Sequence, residues 1–224
     1  MKKYGFFKLS FNSAQSVLMF HTVGEGNDKD EFNCEEQQFK EFILYLKENI
    51  GFIKPDDLFK TSKGLLLTFD DGTVDIFTDI YPFLKDEKIP FVVFVTLGYL
   101  GKEGYLNEKQ LLELDKSDLC YIGAHSMSHP LLRFVNDSNF EISESVRKLE
   151  NILKHKIDLF AYPYGSVYAC SKKNINEAKN SGVLYAFSSI PGYLNKYVED
   201  NKYFLPRFDG SDLIRKFINK EFEL

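Results

Sequence analysis

Two adjacent carboxylates, Asp70 and Asp71, run into Gly72, and two histidines, His125 and His129, stand four residues apart. These are the residues whose types and spacing could do chemistry. Two imidazole nitrogens and one carboxylate oxygen, taken from His125, His129 and Asp71, form a usual ligand set for a catalytic zinc, with one coordination position left for water. A structural zinc would take four protein ligands, often cysteines, and Cys34, Cys120 and Cys170 are scattered along the chain. With Asp71 assigned to a metal, Asp70 is left to act as a base, because side chains of successive extended residues diverge. A metal lowers the pKa of its bound water toward about 7. A nearby carboxylate can then take the proton as that water attacks a carbonyl. Each feature also has a plainer reading. Asp-Gly is a common turn signal, and a His-x-x-x-His pair can be two surface histidines.

The elements that would position these groups decide between the readings. Leu65-Leu66-Leu67-Thr68-Phe69 is an apolar run without polar alternation, which reads as a buried strand ending at the carboxylates. Ser16–Phe20 reads as a first strand with His21 at its end, and Cys120–Ala124 as a strand ending at His125. Pro90–Thr96 is β-branched and aromatic throughout, fitting a strand buried on both faces. Ile157–Ala161, which precedes Tyr162-Pro163-Tyr164-Gly165, and Leu184–Phe187 complete the clear strands; Leu205–Phe208 reads as a last strand or a loop. Helices fall between them. Glu35–Asn49 carries Phe39, Phe42, Ile43 and Leu46 at helical spacing, with Gly51 as the stop. Val74–Asp86 reads as a helix interrupted by Pro82, and Asn107–Leu114, Ser171–Ser181 and Ser211–Asn219 as further helices. Ser138 and Glu141 match a capping box ahead of a helix running to about Lys154. His155 then reads as a favourable charge at that helix's C-terminal end. Pro130 leaves the His125–His129 segment as either one helical turn or a tight loop.

Strands alternating with helices predict an α/β fold with parallel strands. An irregular (β/α) barrel is favoured over an open doubly wound sheet. No Gly-x-Gly-x-x-Gly or phosphate-loop pattern follows a strand. In such folds the C-terminal strand ends gather on one face, and that face holds the site. His21, Asp70-Asp71, His125 with His129, and the Tyr162–Gly165 loop all fall at strand ends.

The chain has 224 residues, of which 44% are apolar, enough for one domain with a full core, and no internal repeat or low-complexity linker divides residues 1–224. A net charge of −5 with mixed basic and acidic residues argues against a nucleic-acid partner. The odd, dispersed cysteines predict reduced thiols. Met1-Lys2-Lys3 is followed by no apolar core long enough for a signal peptide, and no stretch approaches the roughly 20 apolar residues of a membrane span. A cytoplasmic location is the resulting expectation. Oligomeric state is not legible.

Thr68-Phe69-Asp70-Asp71-Gly72 together with His125-Ser126-x-x-His129-Pro130 resembles the polysaccharide deacetylases of carbohydrate esterase family four. Leu18-Met19-Phe20-His21, the Pro90–Thr96 strand and Tyr162-Pro163-Tyr164-Gly165 also fit, so the likeness spans about residues 16 to 210. It implies a distorted (β/α) barrel and metal-dependent removal of an acetyl group from an N-acetylated sugar or glycan; the expected cytoplasmic location adds surface polysaccharide metabolism, through a nucleotide- or lipid-linked precursor, as the setting. The metal would be Zn2+ by default, with Co2+, Ni2+ or Fe2+ accepted by the same ligands. Position by position, Asp70 resembles the catalytic base, Asp71, His125 and His129 the metal ligands, and Tyr164 the residue whose backbone N–H helps hold the oxyanion. Ser126 would support the histidine loop. Two departures stand out. Alanine, Ala161, occupies the place of the family arginine that orients the base, and Arg207 is the candidate replacement, with an ordinary surface arginine as the equal alternative. No late Leu-x-His supplies the general acid. The branch acting on poly-N-acetylglucosamine places its acid histidine ahead of the Asp-Asp motif, and His21 matches that order. A barrel that binds carbohydrate without catalysis, and an amidase on a non-sugar C–N bond, are the competing functions.

Overall fold

A computed structural model describes residues 11–24, 33–194, 201–222 and 224. The stretch Met1–Ser10 and nearly all of the polar loop expected at Gly24–Lys29 lie outside them.

The strands expected from the apolar runs form: β1 (Gln15–Phe20), β4 (Gly64–Phe69), β5 (Phe91–Val95), β6 (Cys120–Ala124), β7 (Leu159–Ala161) and β8 (Tyr185–Phe187). With β9 (Phe208–Asp209) they make a seven-stranded parallel sheet in the order β8-β7-β6-β5-β4-β1-β9. A separate short ladder joins β2 (Thr22–Val23) to β3 (Asn33–Cys34). The large sheet curls until its two edges meet through one segment. Leu205 bridges in parallel to Phe187 of β8, and three residues later Phe208 pairs with Leu18 of β1. The ambiguous Leu205–Phe208 stretch is therefore the closing strand of a distorted (β/α) barrel. Its brevity on each neighbour explains why it lacks a strand's sequence pattern.

Both faces of the sheet are buried, which is why the strands read as unbroken apolar runs. Alternate residues separate into two cores. Val17, Leu66, Val92, Phe94, Leu159, Ala161 and Phe187 fill the barrel interior. Leu18, Leu65, Leu67, Phe69, Phe91 and Val93 face the helices. Among the described residues six helices surround the sheet: α1 (Glu36–Asn49), α2 (Tyr81–Asp86), α3 (Glu108–Asp115), α4 (Ser145–Leu153), α5 (Lys172–Asn180) and α6 (Gly210–Ile218). In α1 the buried positions are Phe39, Phe42, Ile43 and Leu46, and the Gly51 N–H closes the end on the Leu46 carbonyl at 3.1 Å. Asn107 and Ser171 cap α3 and α5 through reciprocal bonds with Gln110 and Asn174.

Three local expectations change. The helix expected over Val74–Asp86 begins as a π turn at Ile76–Ile80 and becomes α-helical only at Tyr81. Pro82, which has no N–H to donate, falls in the first turn of α2, where none is required. Ser138 and Glu141 form no capping box: the Ser138 hydroxyl donates to Glu177 at 2.7 Å, and Glu141 turns toward the histidine loop. His155 lies beyond the end of α4 and pairs with Asp115 at 2.8 Å. All three cysteines are buried thiols. No helix among the described residues is long and apolar enough to cross a membrane.

Candidate active site

The C-terminal ends of β1, β4, β6 and β7 meet at one mouth of the barrel, around a cavity of about 300 Å3. His21, Asp70, Asp71, His125, His129, Tyr164 and Arg207 all line it. Every site residue expected from the sequence is brought to this one place.

Asp70 is the interior-facing residue just past β4. It is 2% exposed, and its two oxygens accept 2.7 Å hydrogen bonds from Nη1 and Nη2 of Arg207. Arg207 is fully buried, on the segment that closes the barrel. Its Nε donates to the Ser188 carbonyl at 2.8 Å, Nη1 also reaches the Thr68 hydroxyl at 3.2 Å, and its guanidinium lies over the Phe94 ring. It is therefore no surface arginine. It reaches Asp70 from a different strand than the one that ends at Ala161. Burial alone would raise the Asp70 pKa, but the Arg207 charge outweighs it and holds the carboxyl well below the usual range. A bidentate pair of this kind also fixes the carboxylate plane.

Asp71 turns the other way. Its Oδ1 lies 3.4 Å from His129 Nε2 and 3.7 Å from His125 Nε2. One ligand atom from each of these three residues falls within 4.8 Å of the others. Asp71 Oδ1 is buried and has no hydrogen-bond partner among the described residues. A buried carboxylate oxygen left so is expensive unless something positive sits beside it. Burial and the neighbouring Asp70 charge push Asp71 up to about 6. Burial drives His125 down to about 3 and lowers His129 as well, so both rings are neutral. The His125 Nδ1–H donates to the Ala161 carbonyl at 2.8 Å, which leaves Nε2 as the lone-pair nitrogen facing the site. Two neutral imidazoles and a carboxylate oxygen without a partner fit a divalent cation.

The histidine loop is a tight turn, not a helix. Ser126 and His129 take left-handed φ values of 68° and 58°, as do Asp71 at 69° and Tyr164 at 60°. Such conformations are uncommon outside glycine and persist where surroundings over-determine them. Ser126 Oγ accepts from the His129 N–H at 2.9 Å, the expected support. Glu141 supplies a second support that the sequence did not reveal. Its carboxylate accepts from the Ser128 N–H and hydroxyl, both at 2.8 Å. Ser-x-x-Glu spacing favoured a helix cap, and only tertiary packing redirects it. Tyr99 and Tyr105 pack beside this loop: their rings lie 4.6 Å apart, and Tyr99 sits 6.2 Å from His129.

Tyr164 packs its ring 4.8 Å from His129, and its carbonyl accepts from Ser189 Oγ at 2.7 Å. Its N–H donates to none of the described residues. Gly165 beside it has φ 52°, and an added Cβ would collide with the Ser189 backbone. His21 follows β1 and lines the cavity within electrostatic reach of both carboxylates.

A barrel that sets one carboxylate in an arginine clamp beside an Asp-His-His cluster has the form of a metal-dependent hydrolase. The polysaccharide deacetylase family model matches residues 60–186, more than half of the chain. Curated relatives include YxkH of Bacillus subtilis, 22% identical over 187 residues that cover 79% of this chain and 64% of that protein. Another is the poly-beta-1,6-N-acetyl-D-glucosamine N-deacetylase of Staphylococcus aureus strain MRSA252, 28% identical over 217 residues, 90% of this chain and 72% of that one. The chain thus spans just under two thirds of the first and under three quarters of the second. Among solved structures, IcaB from Ammonifex degensii superposes with a TM-score of 0.80 at 22% identity, covering 93% of this chain and 97% of that one. The Streptococcus pyogenes deacetylase PplD, solved with acetate, gives 0.81 at 18%, covering 94% and 99%. The chain belongs to the polysaccharide deacetylase family.

Proposed function

We propose that this chain removes the acetyl group from an N-acetylated glycan, with poly-β-1,6-N-acetylglucosamine as the leading substrate class and surface polysaccharide metabolism as the setting. The observation that carries the reading is the division of labour between adjacent carboxylates. Asp70 is locked to Arg207, and Asp71 presents a buried oxygen without a partner to two neutral histidines. The glycan is carried over from the staphylococcal relative's name.

Asp71, His125 and His129 would hold a divalent cation, Zn2+ by default, which supplies Lewis-acid polarisation and a nucleophilic water near neutral pH. The remaining steps belong to the chain's own side chains. Asp70 takes the proton from the attacking water. Arg207 holds Asp70 ionised and in plane while it does so. As the acetyl carbonyl oxygen becomes negative, the Tyr164 N–H donates to it; one such donor is worth about 3–4 kcal/mol in comparable acyl-transfer sites. His21 gives a proton to the leaving nitrogen as the C–N bond breaks, and acetate and the free amine depart. Because Arg207 keeps Asp70 so acidic, the carboxyl is a poor resting place for the proton. This favours onward transfer to the amine.

The clamp on Asp70 also argues against a barrel that merely binds sugar, since the missing family arginine is one of the two features that favour that reading, the absent late histidine being the other. Calorimetric titration with Zn2+ and an acetate-release panel test the proposal together. One Zn2+ per chain and acetate release from N-acetylglucosamine oligomers, but not from non-sugar acetamides, is the expected result. Release from the acetamides alone would reassign the substrate.

A further inference from the structure

The loop that carries Tyr164 continues into an exposed apolar ledge. Tyr164, Val167 and Tyr168 are 56%, 66% and 65% exposed, and Phe134 across from them is 56% exposed. Large apolar side chains left open in a group mark contact surfaces more often than chance. This group is held in place. Phe134 and Tyr168 pack ring to ring at 5.1 Å. Arg133 ties their two loops together: its N–H donates to the Ala169 carbonyl at 2.9 Å, and its guanidinium donates to the carbonyls of Val167 and Cys170. The Cys170 N–H closes a helical turn on the Ser166 carbonyl at 3.0 Å, which turns Val167 and Tyr168 outward.

The ledge adjoins the catalytic mouth through Tyr164, which lines the cavity. Tyr164 touches His129 at one end, and Tyr168 follows four residues later, so the two lie no more than about 14 Å apart along the chain. The loop before Phe134 is the one that carries His129 and Pro130. Aromatic rings fixed by packing and open on one face suit flat, amphipathic, uncharged partners at low entropic cost. The face of an N-acetylated pyranose has that character.

We propose that Phe134 and Tyr168 form a stacking subsite for sugar units flanking the one that is deacetylated, so that the chain selects a polymer over a single sugar. This rests on the glycan reading above. The mechanism does not use these residues, and nothing in the core depends on them.

The test is binding of a β-1,6-linked N-acetylglucosamine hexamer to the protein and to Phe134→Ala/Tyr168→Ala, followed by calorimetry, with no turnover required. The expected result is a Kd weakened about tenfold or more in the double variant, the size of losing an aromatic anchor at an interface. Phe134→Tyr, which keeps the ring, should bind as tightly as the parent. With Zn2+ present, kcat/KM should rise from monomer to hexamer in the parent, and that ratio should collapse in the double variant. An unchanged hexamer Kd, or no hexamer binding by the parent, would overturn the proposal. So would association of the ledge with phosphatidylglycerol vesicles without any effect on hexamer affinity. Hexamer binding that weakens as expected, with no acetate released by the Zn2+-loaded parent, would leave the subsite standing and remove the deacetylase reading.

Discussion

The barrel has two mouths, and each holds a cavity of similar size, about 300 Å3 at the C-terminal strand ends and about 290 Å3 at the N-terminal ends. Each is lined by aspartates and histidine. The N-terminal mouth has Asp56, Asp115, Asp158 and His155. What separates them is burial and convergence. His125 is 1% exposed and its pKa is driven down to about 3, so it offers a lone pair. The His155 side chain is 49% exposed and its pKa is raised, first by the Lys156 carbonyl and then by Asp115, so its surroundings favour the charged form. Asp70 and Asp71 are adjacent, and the left-handed backbone at Asp71 turns it toward different partners. At the other mouth no metal-ligand cluster forms among the described residues. Residue type alone therefore does not make a site; burial and convergence at the C-terminal strand ends do.

That contrast can be broken most severely at Arg207. Arg207→Met leaves a buried carboxylate without its charge partner, and should cost about 3–5 kcal/mol of stability by denaturant titration. Asp115→Asn, removing a partner of the exposed pair, should shift the same titration by no more than about 0.5 kcal/mol. Equal effects would show that the two mouths are energetically alike. Next, His125→Ala should weaken Zn2+ binding by more than about 100-fold, the upper range for losing only a supporting group. His155→Ala should leave it unchanged, as followed by competition with a chromogenic chelator. Glu141→Gln should fall between these, weakening Zn2+ binding about tenfold by loosening the histidine turn, as for other groups that orient a ligand. An unaltered affinity would remove Glu141 from the site.

The smallest effect lies in pH. The folded pKa of His155 is raised, so its pair stabilises the fold below the unfolded histidine pKa of about 6.5 and loses that contribution as pH rises through the folded value. The parent should lose at most about 0.5 kcal/mol relative to His155→Ala over that rise. A gain would reverse the assigned protonation.

Much of this was legible in the sequence because strands buried on both faces leave long apolar runs, and each run points at its last residue. Asp70, His125 and His21 stand at or just past such ends, and the alternation of strands with helices implies the barrel. Arg207 was half legible. Its strand pairs through only a few residues with each neighbour, so neither burial nor the contact with Asp70, 137 residues away, has a local signature. At Glu141 the Ser-x-x-Glu spacing states a local preference for a helix cap that a tertiary contact with Ser128 overrides. The Phe134–Tyr168 ledge carries no periodicity at all; it exists only because Arg133 joins two loops.

The account turns on the two neighbouring carboxylates having different tasks, and Asp70→Asn tests this most directly. Zn2+ content and acetate release from a β-1,6-linked N-acetylglucosamine oligomer would be measured on the same preparation. The predicted result is one Zn2+ per chain, as in the parent, with release reduced by about 1,000-fold, within the range for losing a positioned general base. A variant that keeps its Zn2+ and still releases acetate at the parent's rate would contradict it.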